Sequence, residues 1–133
     1  MEIFIAGQLV LDCAVYPAWV VVYVGAVMGG ITNRFDCAHR VGELGYSLAH
    51  AYWGRGWATE AARAAMDAAF AAYADLNRMR AMADARNGAS LRVMEKLGMV
   101  REGVLRQNRL VRGEFINEVW CGVLRTEWEA RRH

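Results

Sequence analysis

The sequence has little proline, lysine or cysteine. Pro17 is the only proline, so chain reversals depend on the 13 glycines. The three cysteines are far apart and fit neither a disulfide framework nor a zinc knuckle, so we predict no metal site and a cytoplasmic location. Lys96 is the only lysine, and the formal net charge of +2 is too small to indicate a nucleic-acid partner.

Long apolar runs are also missing. The most apolar stretch, residues 14–31, is interrupted by Pro17 and Gly25, and it falls short of the ~20 apolar residues of a membrane-spanning helix. We therefore predict no membrane partner. The N-terminus lacks the basic and apolar regions of a signal peptide. With 133 residues, 56% hydrophobic and 23% charged, the chain is expected to form a single domain over residues 1–133.

The hydrophobic pattern predicts the element order β-β-β-α-β-α-β-β, with the helices covering faces of a mixed sheet. The first helix opens near Thr59, and the second follows an N-cap at Asn87 and ends at Gly98. Gly29 and Gly30 predict a bulge or a close backbone approach, and the charged tail, residues 125–133, is expected to be exposed. The predicted strands are Trp19–Val24, Ala26–Phe35, Val41–Ala49, Arg78–Ala85, Gly103–Val111 and Phe115–Leu124, with one more inside residues 3–11.

One segment, residues 45–60, combines a strand, a glycine-containing loop and the start of a helix. Glycines let the backbone turn sharply and bring its N–H groups close to a ligand. The helix adds unpaired N–H groups and a positive dipole end, which favour a phosphate, and Arg55 adds a charge-assisted contact. A tight turn without a ligand is the open alternative. A Walker loop is excluded because no Gly-Lys-Ser/Thr follows, and Thr59 stands where a dinucleotide fingerprint needs its third glycine.

Three sequence blocks resemble one known family. The blocks are Glu43–Tyr46 with Tyr52–Ala61, Asn87–Ser90 with Glu95–Met99, and Glu102–Arg106 with Val111–Glu114. In this order they resemble the GNAT superfamily of N-acetyltransferases, and within it the ribosomal-protein N-terminal acetyltransferase branch, the RimJ/RimL-like enzymes. The resemblance covers residues 19–128.

The resemblance implies an α/β fold with a mixed, largely antiparallel sheet and helices packed on its faces. The sheet would splay at the strand Glu43–Ala49, where acetyl-CoA, the implied cosubstrate, would lie. The pantetheine arm would pair with the backbone of Leu48 and Ala49, and the pyrophosphate would sit on loop amides. The implied cofactor-binding residues are Leu48, Ala49, Gly54, Arg55, Gly56, Trp57, Ala58, Thr59, Asn87 and Ser90.

The implied reaction is direct transfer of the acetyl group from acetyl-CoA to an amine. Glu43 is the candidate base, acting through water; a surface or salt-bridged carboxylate is the alternative. Ser90 is the candidate donor to the leaving sulfur, or a helix cap. Asn87 would bind pantetheine, cap the helix, or do both. Many family members have a tyrosine at the position of Met94, and that tyrosine acts as the acid for the leaving thiolate. Met94 cannot donate a proton, so the resemblance leaves this role to Ser90 or to water.

Residues 1–18 depart from the family pattern, because the N-terminal strand–helix–helix portion, which walls the acceptor pocket, is mostly missing. A truncated reading frame, a wall supplied by a partner subunit, or a protein that binds CoA without transfer would each account for this. Exposed apolar sheet would favour association, so we predict a homo-oligomer, possibly a dimer. The predicted function is N-acetyltransfer to a protein N-terminal or small-molecule amine; the alternative is an inactive CoA-binding module or interaction protein.

Overall fold

The structure is a computed structural model that describes residues 2–5, 18–23, 26–36, 38–48 and 56–131. These residues form seven strands and three helices. In chain order they are β1 (Glu2–Ile5), β2 (Ala18–Tyr23), β3 (Ala26–Asp36), β4 (Val41–Leu48), α1 (Trp57–Ala72), β5 (Arg78–Asp84), α2 (Gly88–Lys96), β6 (Val100–Val111), β7 (Glu114–Leu124) and α3 (Arg125–Arg131). Among these helices, none is long and apolar enough to cross a membrane.

The described strands form one sheet in the order β1-β2-β3-β4-β5-β7-β6. Every neighbouring pair is antiparallel except β4 and β5, which are joined through α1 and run parallel. The predicted fold class and the order of the central elements are therefore confirmed. The register of β2 against β3 shifts beside Gly29, where a bulge was one of the two predicted outcomes.

The core lies on one face of the sheet. Burial alternates along β5, where Met79, Ala81 and Ala83 are buried while the residues between them are partly exposed. The buried residues of all three helices join these side chains in one cluster with the inward residues of β3, β4 and β7. Alternation then places Glu43, Arg80 and the residues in line with them on the opposite face.

The predicted exposure of the C-terminal tail is confirmed for Thr126, Glu127 and residues 129–131, but not for Trp128, and residues 132–133 lie outside the described residues. Residues Arg125–Arg131 form α3, and Trp128 is buried against Phe70 of α1, with ring centroids 6.1 Å apart. The Trp128 Nε1–H donates to Asp67 Oδ1 at 2.8 Å. A single tryptophan among charged residues gave too little periodicity to reveal this amphipathic turn.

A second irregularity lies between β6 and β7. Their register shifts between Leu105, opposite Glu118, and Arg109, opposite Ile116, so β6 bulges outward. The carboxylate of Glu118 is only 1% exposed, and the bulge supplies its partners. Asn108 Nδ2 donates to it at 2.6 Å and Arg109 Nε at 2.9 Å. The bulge thus provides hydrogen bonds for a buried charge, which would otherwise be costly.

Candidate functional site

The strands β4 and β5 separate within the sheet. Their parallel pairing runs only from Val41 opposite Arg78 to Glu43 opposite Arg80. Strand β4 nevertheless continues to Leu48, and β5 continues to Asp84. Beyond Glu43 the edge of β4 that faces β5 therefore has no strand partner among the described residues. An extended ligand with amide groups can hydrogen-bond to such an edge as an added strand does.

The helix α1 begins without a side-chain cap. Its N-cap, Gly56, has φ of +76° in the left-handed region and provides no side-chain cap. The first intrahelical bond runs from the Glu60 N–H to the Gly56 carbonyl at 3.1 Å. Among the described residues, no atom lies within 4 Å of a Cβ built on Gly56. The backbone N–H groups in the first turn of a helix, here those of residues 57–59, are suited to bind an anionic group.

The predicted loop residues fall partly on this helix start. Trp57, Ala58 and Thr59 form the first turn of α1, directly after Gly56. Leu48 is the last residue of β4, against which α1 packs. Ala49, Gly54 and Arg55 lie outside the described residues. The order strand, connecting segment and helix is therefore as predicted, and binding of a phosphate by this segment stays a prediction.

The second helix has the predicted N-cap. Asn87 Oδ1 accepts a hydrogen bond from the Ser90 N–H at 3.1 Å, and the Asn87 N–H donates to the Asp84 carbonyl at 2.8 Å. The predicted stop at Gly98 also holds, since its φ is +83° directly after the end of α2. Met94 is fully buried in the core, so its side chain serves packing.

The turn before α2 is tied to the β6–β7 hairpin by an ion-pair network that the sequence did not reveal. The Arg86 guanidinium lies 3.0 Å from Asp84 Oδ2 and 3.2 Å from Glu114 Oε2. The hydrogen bonds from Arg86 lower the pKa of Asp84, and the same contacts raise the pKa of Arg86. Asp84 and Arg86 are two residues apart on a turn, which is a recognisable signal; the contribution of Glu114 depends on the tertiary fold.

Glu43 stands at the last paired position of the β4–β5 ladder. Its side chain is 30% exposed, and its Oε1 accepts a hydrogen bond from Arg80 Nε at 3.3 Å. The salt-bridged carboxylate named among the sequence alternatives is therefore what the structure contains, and the role of base stays a prediction. Oε2 has no hydrogen-bond partner among the described residues. Arg80 was missed because only the parallel register brings it beside Glu43.

The sequence of this chain also matches a known protein family. The family model described as an acetyltransferase (GNAT) domain matches residues 11–100. The chain belongs to the GNAT acetyltransferase family. This GNAT chain is 30% identical over 96 residues to an uncharacterized N-acetyltransferase of Bacillus licheniformis, covering 72% of the chain and 53% of that relative.

Solved structures agree with the assignment to the GNAT family. A ribosomal-protein-S5-alanine acetyltransferase from Vibrio fischeri superimposes with a TM-score of 0.78 at 26% identity, covering 85% of this chain and 63% of that one. A probable acetyltransferase gives a TM-score of 0.80 at 31% identity, with coverages of 85% and 63%. The chain thus spans between half and two thirds of the length of these similar proteins.

Proposed function

We propose that the protein is an N-acetyltransferase that moves the acetyl group of acetyl-CoA directly to a primary amine. The observation that carries this proposal is the separation of β4 from β5 directly after Glu43, beside the uncapped start of α1. The two features together offer an open strand edge for an amide-containing arm and free N–H groups for a pyrophosphate. Membership of the GNAT family supports the same donor.

The residues that would hold acetyl-CoA fit its chemistry. Leu48 pairs with Gly29 of β3 on one side, and its backbone would pair with the pantetheine amides on the side that faces β5. The N–H groups after Gly56, at the start of α1, would contact the pyrophosphate. Asn87, at the start of α2, would contact the pantetheine in addition to capping the helix. We extend this set to Ala49, Gly54 and Arg55 from the sequence resemblance.

Acetyl-CoA supplies an activated acetyl thioester, whose C–S bond breaks as the amine nitrogen forms its new bond to the carbonyl carbon. The chain's own groups would then hold and move protons. Glu43 would take a proton from the acceptor ammonium through water at Oε2, which has no described partner, and the neutral amine so formed would attack the thioester carbonyl. The Leu48 N–H would polarise the carbonyl, and Ser90 would donate to the departing sulfur.

The acceptor class is a protein N-terminal amine or a small-molecule amine. Similarity to a protein named for ribosomal-protein-S5 alanine supports the protein N-terminus and the RimJ/RimL-like branch. We further propose a cytoplasmic location, on the basis of the low cysteine count, and a homo-oligomeric state. Large apolar side chains on the β6–β7 hairpin, including Leu110 and Phe115, are exposed and support association.

The deciding experiment measures release of free CoA thiol from acetyl-CoA across a panel of peptides with free N-termini, polyamines and other small amines. We expect amine-dependent release, with peptides as the better acceptors. A parallel thermal-shift screen compares CoA, acetyl-CoA and NAD, and we expect stabilisation by the CoA species alone. Stabilisation by CoA without release would identify a CoA-binding module instead. No stabilisation by CoA would contradict the proposed donor.

A further inference from the structure

Three side chains lie in a row where β4 and β5 separate: Glu43 on β4, Arg80 on β5 and Trp120 on β7. We name them the fork triad. Glu43 and Arg80 are the last paired residues of the parallel ladder, and Trp120 pairs with Met82, two residues beyond Arg80. All three lie on the face opposite the helices, because the residues alternating with them belong to the helix-side core.

Arg80 is held from both sides within the fork triad. Its Nε donates to Glu43 Oε1 at 3.3 Å, and its Cζ lies 5.3 Å from the centroid of the Trp120 ring. The Arg80 and Glu43 side chains are 42% and 30% exposed. A pair this exposed contributes little to the free energy of unfolding. Its main physical effect is therefore to fix the direction of the Glu43 carboxylate.

We propose that Arg80 is the positioning residue of the candidate site: it holds Oε1 of Glu43 and leaves Oε2 as the oxygen that meets water or the acceptor amine. This inference rests on the proposed function and adds to it a residue that lies in none of the three sequence blocks that resemble the family. An arginine suits the role because its planar guanidinium can stack on the Trp120 ring while its Nε donates to the carboxylate. Trp120 in turn limits the rotamers that Arg80 can adopt.

The kinetic test uses purified full-length variants with acetyl-CoA and the best amine from the panel. We expect Arg80→Met to lower kcat about ten- to a hundred-fold, because a misplaced catalytic group loses its oriented geometry. The KM for acetyl-CoA should stay within about two-fold, since Arg80 is not among the proposed donor-binding residues. Arg80→Lys should recover part of the loss by restoring the charge and a donor.

Arg78→Met is the matched control. Arg78 lies on the same strand and face, two residues earlier, and forms its own ion pair with Glu102. Its replacement removes a comparable ion pair without touching Glu43, so kcat should stay near that of the unaltered chain.

A double variant tests whether Arg80 acts through Glu43. Glu43→Gln alone should lower kcat, and adding Arg80→Met should cause little further loss, because both substitutions remove the same function, an oriented Glu43 carboxylate. Independent, multiplying losses would overturn the proposal.

A second readout needs no turnover. The ¹⁵N–¹H signal of Arg80 Nε is assigned by its loss in Arg80→Met, and it should move in Glu43→Gln and in Trp120→Phe while staying in place in Arg78→Met. A signal unmoved by Glu43→Gln would overturn the contact and the proposal. Turnover that survives Arg80→Met unchanged would overturn this inference alone. Absence of thiol release from the unaltered chain with any amine would defeat the proposed function and this role with it.

Discussion

Arg125, the first residue of α3, donates hydrogen bonds from its guanidinium to the carbonyls of Tyr73 and Phe70 at the C-terminal end of α1, at 2.6 and 3.1 Å. Its Nε donates to the Leu76 carbonyl at 2.6 Å, and its Cζ lies 4.9 Å from the Phe70 ring centroid. One side chain thus donates to three carbonyls at and just beyond the end of α1, of which that of Tyr73 also accepts from the Leu76 N–H at 3.1 Å, and it places a positive charge at the negative end of the dipole.

We expect Arg125→Met to lower the free energy of unfolding by about 1–3 kcal/mol, because a mostly buried, charged donor is lost and its carbonyl partners remain. Urea denaturation followed by circular dichroism measures this change. The control is Arg92→Met on the exposed side of α2, which should change stability by less than about 0.5 kcal/mol. Equal effects of the two substitutions would contradict the role given to Arg125.

Gly56→Val should weaken CoA binding. The left-handed conformation of Gly56 costs a β-branched residue about 1–2 kcal/mol, so the turn shifts and the N–H groups of α1 lose their direction. A loss of binding free energy of this size corresponds to a Kd about five- to thirty-fold higher by calorimetry. Gly103→Val, on an exposed position of β6 with open space around it, is the control and should bind CoA normally. Unchanged affinity in Gly56→Val would show that the loop assignment is wrong.

The two roles given to Asn87 can be separated. Asn87→Ala should lower stability by about 1 kcal/mol through loss of the cap to the Ser90 N–H. Asn87→Ser keeps a capping oxygen, so the melting temperature should stay near that of the unaltered chain. If Asn87 also contacts pantetheine, as we propose, Asn87→Ser should still weaken CoA binding in calorimetry. Normal affinity in that variant would leave Asn87 as a cap alone.

Ser90→Ala should lower turnover more than it lowers CoA affinity. Loss of the hydrogen bond from Ser90 to the leaving sulfur would reduce kcat by about a hundred-fold, whereas the substrate contacts remain. Steady-state kinetics together with calorimetry measure the two effects separately. Equal losses in turnover and affinity would reduce Ser90 to a structural member of the first turn of α2.

The chain should sediment as a dimer or a larger assembly. Leu110 and Phe115 at the end of the β6–β7 hairpin are 61% and 64% exposed, and burying such residues favours association. Sedimentation velocity of the unaltered chain should show the assembly, and a Leu110→Ser/Phe115→Ser variant should shift it toward the monomer. A single monomeric species of the unaltered chain over the micromolar range would refute the expectation.

The sequence was informative wherever the deciding signal was local. The N-cap at Asn87 and the stop at Gly98 follow from residue type and spacing, and both are confirmed. The separation of β4 and β5 came from the family resemblance.

The sequence was uninformative where the deciding contact joins distant segments. Arg80 meets Glu43, 37 residues earlier, only through a parallel register. The α3 helix is stabilised by Trp128 and by the contacts of Arg125 with α1, which no periodicity within seven residues reveals. The β6 bulge depends on a buried carboxylate in the neighbouring strand, so Gln107 and Asn108 looked like ordinary strand residues.

The described helices all pack against one side of the sheet, and the fork triad lies on the other. Under the proposed function, substitutions beside the fork triad would alter which amine is accepted without repacking the side chains that keep α1 and α2 in place. Such a division would let closely similar chains diverge in acceptor preference while keeping the same thioester donor.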